Sequence, residues 1–269
     1  MEKLNLNNTK GKVPFISKLA YGFGDVGCNF SWSFVVSFLM IFFTDVFGIS
    51  MAAVATLMLV SRFWDAFNDP LIGSLSDRTK SRWGRYRPWL LFGAPITALV
   101  LLLCFWAHPD MDYTGKIIYM SITYGLLVLG YTCVNLPYGT LCGAMTQNID
   151  ERAQINTSRS VAAMIAIGVI NINIITVPLV KYCGDGTLSS ARGFISVAAI
   201  YGLIFTFCHW FCFAKTKEMV KVEISSKAVP VSDQLKAVVK NKPFLMAVVG
   251  QLLFGFILYG RNADLIYYF

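Results

Sequence analysis

Seven long apolar stretches run through the chain, at about 18–44, 50–76, 88–107, 116–142, 157–181, 192–214 and 243–269. Each is long enough to cross the roughly 30 Å hydrocarbon core of a bilayer as a helix, which satisfies its backbone groups internally. Continuous apolar runs of this length differ from the alternating strands of an outer-membrane barrel. The pattern therefore predicts an all-α membrane protein. Composition points the same way: of 269 residues, 56% are apolar and 14% charged, with a mean hydropathy of +0.58. Soluble proteins carry about 25% charged residues, and a soluble domain of this size has no means of hiding so much apolar surface. These figures exclude a secreted module, a disordered chain and a nucleic-acid binder. The polar N-terminal segment, with Lys3, Lys10 and Lys12, has no signal-peptide core.

Charge then gives sidedness. The net charge is +8, and the basic residues are unevenly placed. Lys3, Lys10, Lys12 and Lys18 precede or open the first stretch. Arg78, Lys80, Arg82, Arg85 and Arg87 fill the second loop, and Arg152 and Arg159 follow the fourth stretch. Lys215, Lys217, Lys221, Lys227, Lys236, Lys240 and Lys242 lie between the sixth and seventh. The opposite ends carry Lys116, Lys181 and Arg192. By the positive-inside rule, the N-terminus and the even-numbered loops are cytoplasmic in a multi-pass protein of the inner (plasma) membrane. The sixth loop is the only long one. Its polar stretch divides six spans from a seventh, and Ser232-Asp233 can cap a short amphipathic helix through Lys240.

Ionisable residues inside spans are costly and mark function or buried pairs. Span two holds Arg62, Asp65, Asn68 and Asp69 ahead of Pro70. Asp65 and Asp69 lie about 40° apart on one helical face, with Arg62 on the same face. Two carboxylates beside one amide make an oxygen-rich cluster suited to Na+ or a proton. The alternative is an Arg–Asp pair that packs helices. Span one carries Asp25 and Asn29, four apart. Span four carries Tyr131, Thr132, Asn135, Pro137 and Tyr138, and span five opens with Arg159. These groups can bond sugar hydroxyls and stack on a ring; the alternative for Asn29, Thr132 and Asn135 is interhelical hydrogen bonding. Pro137 either breaks span four or kinks it. Arg261 and Asp264 in span seven read as a local pair. The second loop, Gly73 to Pro88, reads as a basic turn or as a gate in which Asp77 bridges basic residues. Six of the seven cysteines sit in apolar runs and read as packing residues. His108 and His209 match no metal or triad spacing, and no enzyme constellation is present, so catalytic residues are expected to be absent.

Taken together, these motifs carry a resemblance. Lys18-Leu-Ala-Tyr-Gly-Phe-Gly-Asp25, Arg62-Phe-Trp-Asp65-Ala-Phe-Asn-Asp69-Pro70, Ser81-Arg-Trp-Gly-Arg-Tyr-Arg-Pro88 and Val134-Asn-Leu-Pro-Tyr-Gly139 resemble the glycoside–pentoside–hexuronide:cation symporters of the major facilitator superfamily. The resemblance implies Asp65 and Asp69 as cation residues, assisted by Asn68 and Thr132. It implies Arg159 as a basic residue near the sugar, with Asn29 and Asn135 at two sugar-site positions, and a gating loop of Asp77, Arg78, Arg85 and Arg87; the residue reading adds Asp25 and Tyr131 to the substrate candidates. It implies no cofactor beyond the coupling cation, Na+ or H+. Asn29, Asn135 and Gly139 stand where melibiose-type members have acids and an aromatic ring, which favours the pentoside and hexuronide branch. Loss of acids also favours an anionic sugar, whose carboxylate Arg159 can pair.

The family builds two six-helix bundles around a central cavity. The expectation is therefore a tail (1–17), a six-helix N-terminal bundle (18–214), a cytoplasmic linker (215–242) and a seventh helix (243–269) that begins a second bundle, truncated relative to twelve helices. The expected activity is cation-coupled import of a pentoside, hexuronide or other glycoside. The competing expectation is a non-transporting part of an interrupted or split gene, whose partner is a separate C-terminal half. A membrane sensor is disfavoured because no added soluble domain is visible.

Overall fold

The computed structural model describes residues 12–170, 175–220, 240–243, 245–251 and 253. The described residues are helical, with turns and loops between. Two compact units divide at Lys221 and Val222, and each stands by itself below.

Among its described residues the first unit holds six long helices and one short one. They are α1 (Phe15–Ile41, followed by a π-helical turn Phe42–Val46), α2 (Met51–Arg78), α3 (Arg87–Cys104), α4 (Tyr113–Met145), α5 (Ile149–Ile170), α6 (Thr176–Cys183) and α7 (Ala191–Lys215). Four of them, α1 with its π turn, α3, α4 and α7, are long and apolar enough to cross a membrane. α2 and α5 are also long, but α2 carries Arg62, Asp65 and Asp69 and α5 has an acidic first turn.

Local chemistry sets the boundaries. Ser50, Asp112 and Ser190 each accept a hydrogen bond from the backbone N–H three residues on and so cap α2, α4 and α7. The fifth helix begins at Ile149, ahead of the apolar stretch at 157. Asn148 Oδ1 accepts from Asp150 N at 2.9 Å and Glu151 N at 3.4 Å, and the two acids suit the positive end of a helix. The helix thus starts in polar sequence. α6 covers the end of that stretch, with 171–174 outside the described residues. α4 runs unbroken through Pro137, so this proline does not interrupt the helix.

α1 packs against α5 and α7, while α3 bridges α7 and α4, and α2 lies against α4. At one end an aromatic core joins Phe34 and Phe38 of α1 and Phe42 of the π-helical turn to Phe105 and Phe194, with ring centroids 4.5–6.5 Å apart. At the other end Tyr21 and Tyr138 stack at 4.6 Å, and each hydroxyl donates to the other's carbonyl. Buried Leu90, Leu141 and Ile155 fill the space around them.

In the second unit, residues 245–251 are helical and Leu245 N bonds Asn241 O at 3.0 Å. Most of the expected seventh helix, including Arg261 and Asp264, lies outside the described residues. So does most of the linker, with Ser232 and Asp233.

Candidate functional site

Close helix contact builds the polar centre. A Cβ on Gly22 would sit 2.9 Å from Ser158 Oγ and 3.0 Å from its carbonyl oxygen. One on Gly24 would sit 2.4 Å from the Tyr138 ring. These two glycines let α1 approach α5 and α4 closely. One residue beyond Gly24 is Asp25, and one residue beyond Ser158 is Arg159. The approach carries them into an ion pair, Arg159 Nε to Asp25 Oδ1 at 2.9 Å, with the Asp25 side chain 9% and the Arg159 side chain 37% exposed. Asn29, one helical turn on, donates to Asp25 Oδ2 at 3.2 Å and to its backbone oxygen at 2.8 Å. The guanidinium also lies 5.5 Å from the Tyr138 ring centroid.

Further along α1, Cys28 Sγ reaches Asn135 Oδ1 at 3.7 Å and buried His209 Nε2 at 3.6 Å. Trp32 stacks on Tyr131 at 4.4 Å. All five sequence-predicted substrate residues, Asp25, Asn29, Tyr131, Asn135 and Arg159, therefore gather where α1, α4 and α5 meet. Trp32, Cys28 and His209 belong to the same assembly. His209 is fully buried and bonded to Phe205 O at 2.7 Å, so it supports the core.

The cation candidates form a second group. Arg62 pairs with Asp65 at 3.9 Å across one turn of α2. Asn68 is buried, and its side-chain nitrogen has no hydrogen-bond partner. Asp69 is exposed. A constant register relates this face to α4: Ser50 meets Tyr113, Ser61 meets Tyr124, and a Cβ on Gly73 would touch Leu136, each pair 63 positions apart. The same register sets Asp69 level with Thr132 and Asn68 level with Tyr131. The orphaned Asn68 Nδ2 is a donor and so no cation ligand; the oxygens a small cation could take here are those of Asp65, Asp69 and the Asn68 amide. A groove of about 660 Å³ between α2 and α4 passes Ser61 and Trp64 but is otherwise almost wholly apolar. Its chemistry suits hydrocarbon, so the polar groups rather than this groove define the candidate site.

Gating candidates lie at the basic end. Asp77 accepts from Tyr86 Oη at 2.7 Å, and burial together with that bond pushes the Tyr86 phenol up to about 12. Arg78 closes α2. Arg87 donates to Phe213 O at 2.7 Å and Trp83 O at 3.1 Å and covers the Phe213 ring. Sequence reasoning passed over Glu218. Its carboxylate accepts from the backbone N–H groups of Arg85, Tyr86 and Arg87 at 2.8, 2.8 and 3.2 Å, sealing the start of α3. The one available signal was Gly84, whose φ of +111° and proximity to that carboxylate exclude a Cβ. Glu151 went unnoticed too: it holds Lys18 Nζ at 2.8 Å and Val13 N at 2.9 Å.

A family model described as "MFS/sugar transport protein" matches residues 20–269. The chain belongs to that family. It is one of transporters, not of enzymes, and its members are multi-pass membrane proteins. An isoprimeverose transporter of Lactiplantibacillus pentosus is 38% identical over 262 residues, covering 97% of this chain and 54% of the relative. A putative glycoside/cation symporter of Escherichia coli (strain K12) is 40% identical over 83% of this chain and 47% of its own length. A glucuronide carrier protein homolog from the same strain is 33% identical over 87% and 50%. The chain spans about half the length of the curated relatives it matches.

Proposed function

We propose that this chain forms the N-terminal six-helix half (18–214), with a cytoplasmic linker and a seventh helix, of a symporter that imports a glycoside together with Na+ or H+ across the inner membrane. The observation that carries this reading is the pairing of two polar groups on neighbouring helices. Asp25, Asn29 and Arg159, with Asn135 and Tyr131, offer donors, acceptors and a ring face to a sugar. Asp65, Asp69 and Asn68, level with Thr132, offer oxygens to the cation. Coupling requires only that sugar and cation each bind better to the doubly loaded state. Relatives named for isoprimeverose, glycoside/cation and glucuronide transport support the substrate class. The basic ends of α2, α3 and α7, with Glu218, Asp77, Arg78, Arg85 and Arg87, would form the cytoplasmic gate.

Uptake or counterflow of labelled pentosides and glucuronides, with and without Na+ and a proton gradient, tests the proposal. Stimulation by one cation is expected, and it should vanish in the Asp65→Asn, Asp69→Asn double variant. Uptake indifferent to both gradients defeats the cation site.

A second reading concerns the 269 residues alone. Arg62 is 72% exposed in its side chain, and Asp69 is exposed on the same helix. Bare charges facing lipid are expensive, so another protein surface, such as a separate C-terminal half, must cover them before transport proceeds. Saturable uptake by the purified 269-residue chain in vesicles would refute that requirement, provided the chain runs as a monomer there.

A further inference from the structure

We infer that the groove between α3 and α4 holds an acyl chain of an anionic phospholipid, whose phosphate is taken by Lys80 and Arg82 at the basic end of the bundle. The inference goes beyond the glycoside reading and does not rest on it.

The groove measures about 430 Å³ and is almost wholly apolar. Phe92, Ile96 and Leu126 form its walls and are 55%, 59% and 47% exposed, so the groove opens to the side of the bundle. Its floor is low because α3 and α4 touch closely there: a Cβ on Gly130 would sit 3.0 Å from Thr97 Oγ1. From Trp89 to Val100 the groove follows α3 for about 17 Å, at 1.5 Å per residue. One leaflet of a hydrocarbon core about 30 Å thick has nearly that depth. A trough of this length and lining matches an acyl chain.

The mouth of the groove is polar and basic. Thr79 and Trp89 line it there, and Trp89 Nε1 donates to Thr79 Oγ1 at 3.0 Å. Lys80 follows directly and is exposed. Arg82, also exposed, lies over the Trp83 ring at 4.2 Å, and Trp83 meets the groove wall at Phe92, 6.0 Å between ring centroids. This stacking holds the guanidinium beside the mouth. Among the described residues no carboxylate pairs with Lys80 or Arg82. Two cations next to an indole at headgroup level complement a phosphate. A zwitterionic headgroup brings its own cation to the same place, so a net negative headgroup binds better.

Two other grooves lack this combination. The one between α2 and α4 follows the opposite halves of those helices, from Ala53 and Ile117 to Trp64 and Leu126, away from the basic loop. The one between α1 and α5 has Lys18 at its mouth, but Glu151 already pairs with that lysine at 2.8 Å.

Native mass spectrometry of the 269-residue chain, given equal amounts of dipalmitoyl phosphatidylglycerol and dipalmitoyl phosphatidylcholine, tests the inference. Wild type should retain phosphatidylglycerol over phosphatidylcholine by about tenfold or more. The exposed pair Lys80→Gln, Arg82→Gln should lower phosphatidylglycerol retention by about tenfold, while Lys215→Gln, exposed at the same end, should change it less than about twofold. Cys133→Phe, which fills the groove and leaves the charges alone, should reduce retention of both lipids. Equal retention of the two lipids by wild type overturns the inference. So does a loss at Lys215→Gln as large as that at Arg82→Gln alone, which would mean a diffuse basic surface. Glycerol 3-phosphate retained as well as the phospholipid, or a folded Cys133→Phe protein that binds as wild type does, removes the groove and overturns it too. Should Cys133→Phe fail to fold, the charge variants and the glycerol 3-phosphate comparison decide.

Discussion

Single carboxylates do unlike work in this bundle, according to what surrounds them. Asp25 is matched by Arg159 inside the helix packing, and Asp65 is loosely paired with Arg62 at a surface. Glu151, at the basic end ahead of the fifth apolar stretch, is held low in pKa by the hydrogen bond from Lys18 and the one from Val13 N. A carboxyl whose folded value is depressed stabilises the fold above its unfolded value, about 4.3 for glutamate. That contribution is lost as pH falls through the lowered folded value. Thermal unfolding in detergent should therefore show wild type losing its advantage over Glu151→Gln as pH drops from about 6 to about 3. A difference that stays constant over that range would contradict the assignment. Asp25 and Asn29 could be placed on one face from their spacing alone. Their arginine, 134 positions away from Asp25, could not be paired from spacing, because only the folded packing of α1 on α5 brings it there.

At the scale of elements, helix starts depend on small polar groups that hydropathy does not register. The fifth helix begins at Ile149 because Asn148 caps it, and α3 begins at Arg87 because three successive amides point at Glu218. An anion at a helix N-terminus contributes about 1 kcal/mol. Glu218→Gln should cost about that much and speed amide exchange at residues 85–87 while leaving the other helix termini unchanged. Gly84→Ala must adopt a backbone conformation foreign to L-residues and place a methyl group against the carboxylate. It should cost about 1–3 kcal/mol, read as a lower unfolding midpoint. A melting curve equal to wild type for both variants would remove Glu218 from the gate. The helices themselves were legible because apolar length dictates them. Glu218 was not, because a cap contributed from 131 residues away leaves no local pattern.

At the scale of the whole molecule, the distribution of basic residues predicts sidedness. Gln147, between α4 and α5, and Ser189, between α6 and α7, are both exposed. A cysteine at 189 should react with an impermeant maleimide added to intact cells, and one at 147 only after permeabilisation, each measured above the parent protein. The reverse pattern would invert the topology. Six long helices packed through α1 and α3 then account for which polar groups meet. Parallel α2 and α4 keep one register along their length, setting Asp69 level with Thr132. Antiparallel α1 and α4 bring Trp32 to Tyr131 and Cys28 to Asn135.

By itself the sequence determined the class of structure, the number of apolar stretches, the unequal charge of the two ends and the residues that bear chemistry. Hydrocarbon thickness and the cost of unpaired backbone groups act on every stretch locally, whatever its neighbours do. Only the tertiary structure decided that Arg159 is neutralised by Asp25, that Pro137 leaves its helix whole and that Glu218 closes α3. Those outcomes depend on distances between distant segments, fixed by where glycine lets two helices touch.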